Sequence, residues 1–202
     1  MKTFIFLGLF IFMNSLLIPV AFGQRVLEVG PGKAYTNPGL AARVAVPGDT
    51  ILIYPANYSG PFFIENLKGT PSKWIFMRGT DAARVVFSGG SESMHFTDLQ
   101  YVHLSNFTVR GQSGNGMNLD DGGTFESAAK KVVMENIVFR DMAATGNNDM
   151  LKLSGLDSFE IINCQFENGS TGGSGIDMVG CHYGSIRQCR FVQQGSNSIQ
   201  AK

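Results

Sequence analysis

The sequence predicts an all-β chain wound as a single-stranded parallel β-helix, and three observations carry that prediction. One is a unit that recurs four times between residues 100 and 202: alternating apolar positions, an amide residue, then two more apolar positions. Its first two copies read Val102, Leu104, Asn106, Phe107, Val109 and Val132, Met134, Asn136, Ile137, Phe139. The third is Phe159, Ile161, Asn163, Cys164, Phe166, and the fourth keeps Ile186, Gln188, Cys189 and Phe191 with Gly184 in the first slot. The second observation is the period, since the amides lie 30, 27 and 25 residues apart. Units of that length cannot bury an apolar face alone and stack on their neighbours as a solenoid. The third is the alternation, whose period of two belongs to strands. A second strand follows each first one, at Met117 and Leu119, Leu151 and Leu153, Ile176 and Met178, and Ile199 and Ala201. Stacked in register, coils hydrogen-bond about 4.8 Å apart, and the amides are expected to form an inward ladder at the bend between strands.

In chain order, residues 1–23 read as a signal peptide: Lys2 is followed by an overwhelmingly apolar run and by Ala21-Phe22-Gly23, a small-x-small cleavage site. Residues 24–49 read as a strand, Val26 to Val29, a Gly30-Pro31-Gly32 turn, and a short helix. Asn37 caps that helix and Pro38 starts it, closing the open end of the solenoid core. Residues 50–202 read as coils. The first two come from the runs 50–54, 62–64, 74–78, 85–87 and 94–96, and four more follow Asp98. Segments 59–73, 111–116 and 120–130 read as loops, where specificity usually lives on a rigid scaffold. Because Ile199-Gln200-Ala201-Lys202 stops inside a strand with no polar cap, the sequence is expected to be C-terminally truncated.

Together with the Asn-rich coils, Gly30-Pro31-Gly32-Lys33-Ala34-Tyr35, Gly48-Asp49-Thr50-Ile51 and Asn57-Tyr58-Ser59-Gly60 resemble the secreted right-handed β-helix proteins of the pectin-lyase-like superfamily. The resemblance spans residues 25–202. It implies a right-handed coil, while the superfamily's activities range over polysaccharide lyases, glycoside hydrolases, uronan epimerases and adhesins.

Composition excludes some partners. With 16 basic and 16 acidic residues, the chain lacks the concentrated basic stripe that nucleic acid requires. The 25 glycines suit tight turns rather than a helical domain. Once residues 1–23 are removed, no membrane span is expected, and the product is placed outside the cell, in the periplasm or on the surface, as a monomer. Of three cysteines, Cys164 and Cys189 share a slot in successive coils, within disulfide range, and are read as stacked small hydrophobes in preference to a bridge. Cys181 lies in a turn.

Stacking the second strands collects chemistry on one outward face. One row is Asn118, Lys152, Asp177 and Gln200; a second is Asp120, Ser154, Val179 and Lys202. Asp149 and Asn115 stand where the strand starts, Asp121 where it leaves, and His182 in the following turn. A uronan lyase needs a cation on the uronate carboxylate, often calcium, and a base for the C5 proton. Asp120, Asp121 and Asp149 are the expected calcium ligands, Lys152 the expected base, Asp177 its orienting partner or a further member of the metal set, and His182 a further catalytic candidate. A glycoside hydrolase would instead use Asp149 with Asp177. A carbohydrate-binding surface protein would use the same face without chemistry. Lys152 and Asp177 also suit a plain cross-strand ion pair, and His95 and His103 read as ordinary outward residues.

Overall fold

The computed structural model describes residues 24–123 and 127–202; the segment read as a signal peptide lies outside them. The described elements are β1 (Val26–Val29), α1 (Pro38–Ala42), β2 (Thr50–Ile53), β3 (Ala56–Tyr58), β4 (Phe62–Glu65), β5 (Ile75–Gly79), β6 (Val85–Ser88), β7 (Met94–Thr97) and β8 (Gln100–Arg110). They continue with β9 (Met117–Asp120), β10 (Ala129–Arg140), β11 (Leu151–Ser154), β12 (Leu156–Ile162), β13 (Gln165–Glu167), β14 (Ile176–Val179), β15 (Ser185–Arg187), β16 (Arg190–Val192) and β17 (Ile199–Ala201). Every ladder between these strands is parallel.

The chain is a parallel β-helix. One face is the six-stranded sheet β4-β7-β9-β11-β14-β17, and a second runs β1-β2-β5-β8-β10-β12-β15. The long strands β8 and β10 bend midway, so that their C-terminal halves join β6 and β13 on a third face. Inside the coils lie columns of apolar side chains. Phe139, Phe166 and Phe191 stack almost face to face, with centroids 4.9 Å apart at each step. Cys164 and Cys189 take the inward slot below Ile137, both as free thiols, in keeping with their reading as packed hydrophobes. Helix α1 is capped by the Asn37 side chain, which accepts from the Leu40 amide at 3.1 Å, and it buries Ala41 completely. Segment 59–73 is more than a loop. Its short alternation, Phe62 and Ile64, forms β4 and opens the six-stranded sheet.

The amides form a column, as expected, but not an inward one. Asn106, Asn136, Asn163 and Gln188 all have left-handed backbone, with φ of 60°, 53°, 51° and 58°. This conformation makes the bend, and asparagine tolerates it better than most residues. The flanking residues Leu104 and Phe107 keep the inward positions, so the bend turns the amides outward. Asn106 and Asn136 are half-exposed, and Asn163 and Gln188 are exposed. Asn136 Nδ2 still donates to Asn106 Oδ1 at 2.7 Å. Forcing a β-branched residue into this conformation should cost about 1–2 kcal/mol. Asn136→Val is therefore expected to lower the urea midpoint, while Asn136→Gly stays near the parent; equal losses would show that the bend does not set the requirement.

Candidate functional site

The outward side chains of the six-stranded sheet form the rows that the alternation predicts. Lys152 lies opposite Asn118 on one side and Asp177 on the other, and Asp177 lies opposite Gln200. Ser154 joins Asp120 to Val179. The structure extends the first row upward through His95 to Phe63.

Lys152, Asp177, Asp149 and Lys202 come together at the lower end. Lys152 Nζ pairs with Asp177 Oδ2, Lys202 Nζ reaches the same oxygen at 3.3 Å, and Lys152 Nζ stands 4.0 Å from Asp149 Oδ2. Asp177 points outward from its strand yet is only 1 % exposed, because the two lysine side chains cover it. Its Oδ1 is buried with no hydrogen-bond partner among the described residues. Burial opposes its charge, but the hydrogen bonds and charges of Lys152 and Lys202 hold its pKa below the ordinary carboxylate value. Asp149 is also buried, accepting from the Ser174 amide at 2.8 Å. Burial and the neighbouring Asp177 charge push its pKa upward. Environment thus drives these two carboxyls in opposite directions.

The other expected residues stand elsewhere. Asp120 and Asp121 leave the far end of β9 and bind turn amides, Asp120 Oδ1 accepting from Gly122 at 2.9 Å and Asp121 Oδ1 from Gly123 at 2.8 Å. The Asp121 carboxylate lies over Gly155, where any Cβ would collide with it. Asp149 precedes β11, so the length of a strand separates it from Asp120 and Asp121, and the three carboxylates do not converge as one calcium site requires. Among the described residues, no three His, Cys, Asp or Glu side chains are grouped to hold a metal. His182 lies past the left-handed bend at Gly180 and pairs with Asp157 at 3.0 Å on the adjoining face, away from Lys152.

His95, read from the sequence as an ordinary outward residue, is held between two acids. Its Nε2 lies 2.5 Å from Asp120 Oδ2 and its Nδ1 lies 3.4 Å from Glu92 Oε1. Asn118 Nδ2 donates to the other Glu92 oxygen, and the Phe63 ring packs 5.8 Å away. The Met94-His95-Phe96 alternation matches Met117-Asn118-Leu119 and was the available signal. Glu92 had none, because it sits in the turn before β7. Burial lowers the His95 pKa, but the Asp120 hydrogen bond and the Glu92 and Asp120 charges outweigh it and raise the net value. The tie therefore adds stability below the unperturbed imidazole pKa of about 6.5 and loses it as pH rises through the raised folded value. His95→Gln is expected to flatten the pH dependence of thermal stability from about pH 6 to 8; an unaltered profile would rule the tie out.

Comparison with solved structures agrees with this architecture. The backbone superposes on that of pectate lyase Pel9A with a TM-score of 0.55 and 17% identity, covering 78% of this chain and 47% of that one. It superposes on alginate lyase from Paenibacillus sp. str. FPU-7 with a TM-score of 0.54 and 16% identity, covering 88% of this chain and 74% of that one. The chain thus spans about half the length of the first and three-quarters of the second. At such identities the likeness is one of fold alone, the parallel β-helix. No protein-family model and no curated protein sequence matches the chain.

Proposed function

We propose that the chain acts on a uronate-containing polysaccharide by β-elimination along the outward face of the six-stranded sheet. The carrying observation is the cluster of Lys152 and Lys202 on one oxygen of the sealed Asp177 carboxylate. In this reading Lys152 is the base, and Lys202 stays on Asp177 to neutralise it. In the step, the C5 proton of the uronate passes to Lys152 Nζ. The C5–H electron pair becomes the C4=C5 double bond, and the C4–O pair leaves with the departing chain, whose oxygen is protonated from solvent. Asp177 orients Lys152, and Asp149 lies beside it. The fold shared with pectate lyase Pel9A and the Paenibacillus alginate lyase supports this reading. A calcium requirement would rest on Asp120 and Asp121 with the substrate's own carboxylate, and the elimination step drawn above does not pass through it. Export through residues 1–23 belongs to the same reading, and no described helix is long and apolar enough to cross a membrane.

A second reading, a carbohydrate-binding protein without catalysis, is favoured by the same ion pair, because an ammonium held on Asp177 accepts no proton. The hydrolase reading has less support, since Asp149 and Asp177 are both sealed from a bridging water.

The experiment is digestion of polygalacturonate, alginate and glycosaminoglycan, with and without a chelator, followed by the ultraviolet absorbance of unsaturated ends. Absorbance that grows with time supports elimination. Retained glycan affinity with no absorbance supports the binding reading, and neither activity nor affinity on any polymer removes both.

A further inference from the structure

A second concavity lies on another face of the solenoid, where the turn before β2 meets the strand that opens the second coil. It is a cleft of about 610 Å³ walled by Trp74 and Phe76, with Gly48 and Asp49 among its lining and Arg25 and Lys73 also facing it. Ile75 and Met77 are fully buried, so the alternating Trp74 and Phe76 project outward. Neither ring is loose. Trp74 meets Tyr101 edge-on with centroids 5.7 Å apart, and Phe76 meets His103 at 5.6 Å. Rings braced in this way offer a flat apolar surface whose ordering cost has already been met.

The charge of the cleft has one sign. Arg25 neutralises Asp49 through two contacts, Nε to Oδ1 at 3.0 Å and Nη2 to Oδ2 at 2.5 Å, and it also donates to the Val44 carbonyl at 3.0 Å. Lys73 has an exposed side chain with no ion-pair partner among the described residues. A ligand that complements both features has an apolar face to lie on an aromatic ring and a negative charge to meet an ammonium. A uronate pyranose has both, its C–H face and its carboxylate.

We propose that this cleft binds an acidic sugar residue, as a second polysaccharide site separate from the Lys152 groove. Only the choice of polymer rests on the reading of that groove; the site stands on its own geometry. Trp74 is the sole tryptophan of the chain and walls this cleft, so its emission responds to binding there, and the Lys73 variant ties the response to this side of the ring.

The test is a fluorescence titration of the purified protein at low salt with oligogalacturonate, oligomannuronate and hyaluronan oligosaccharides, with cello-oligosaccharides as neutral controls. At least one acidic series is expected to give a saturable emission change that the neutral series does not. Lys73→Ala should raise Kd about ten-fold. No emission change with any acidic series, an equal response to neutral sugars, or an unchanged Kd in Lys73→Ala would each overturn the proposal. A protein with no lyase activity that still titrates here would retire the elimination reading and keep this one.

Discussion

Phe166→Ala is expected to destabilise the chain by about 3–5 kcal/mol, the usual cost of deleting a buried aromatic ring from a core. Phe166 is fully buried and lies between Phe139 and Phe191, nearly parallel to both, so one substitution removes two ring stacks. Each such pair adds about 0.5–1.5 kcal/mol beyond its buried area. In a solenoid each coil touches only its neighbours, so the cavity weakens the joint between coils, and the loss is a large part of the about 5–15 kcal/mol that holds a typical domain together. Urea denaturation followed by circular dichroism measures it. Phe166→Leu should lose less than half as much, and an alanine variant within about 0.5 kcal/mol of the parent would mean that the phenylalanine column does not carry the stack.

For the groove, the largest expected effect is on the elimination proposed there. Lys152→Ala should reduce elimination by about two to four orders of magnitude, the usual contribution of a general base. Alanine also removes one of the two cations on the sealed Asp177, so lost activity by itself could reflect damaged packing. Lys152→Arg separates the two effects. Arginine keeps the positive charge on Asp177 but stays protonated and accepts no proton at working pH. It should therefore melt near the parent temperature and be as inactive as the alanine variant. An active Lys152→Arg protein would exclude Lys152 as the base.

Much of this face was legible in the sequence because a strand's period of two and the coil's repeat together assign each side chain a row. Met117-Asn118-Leu119, Leu151-Lys152-Leu153 and Ile176-Asp177-Met178 align without ambiguity, and the structure pairs them in that register. Row membership is not the same as distance along the row. Asp120 and Asp149 belong to one face but occupy opposite ends of adjoining strands, so gathering them as ligands of one cation overlooked the length of the strand between them. The amides show the converse limit. Their spacing predicts a column, but which way the column faces depends on a left-handed backbone angle that apolar alternation does not encode.

By itself, then, the amino-acid order determined the winding of the chain, the register of its coils and the pairing of Lys152 with Asp177, because all three follow from periodicities that stacking repeats without loss. Tertiary structure alone decided that Asp177 is sealed beneath two lysines, that His95 is clasped by Glu92 and Asp120, and that Trp74 and Phe76 wall a cleft. Those outcomes depend on how turns of unequal length fold back over the strands and on the reach of long side chains, and neither quantity is carried by a repeating pattern.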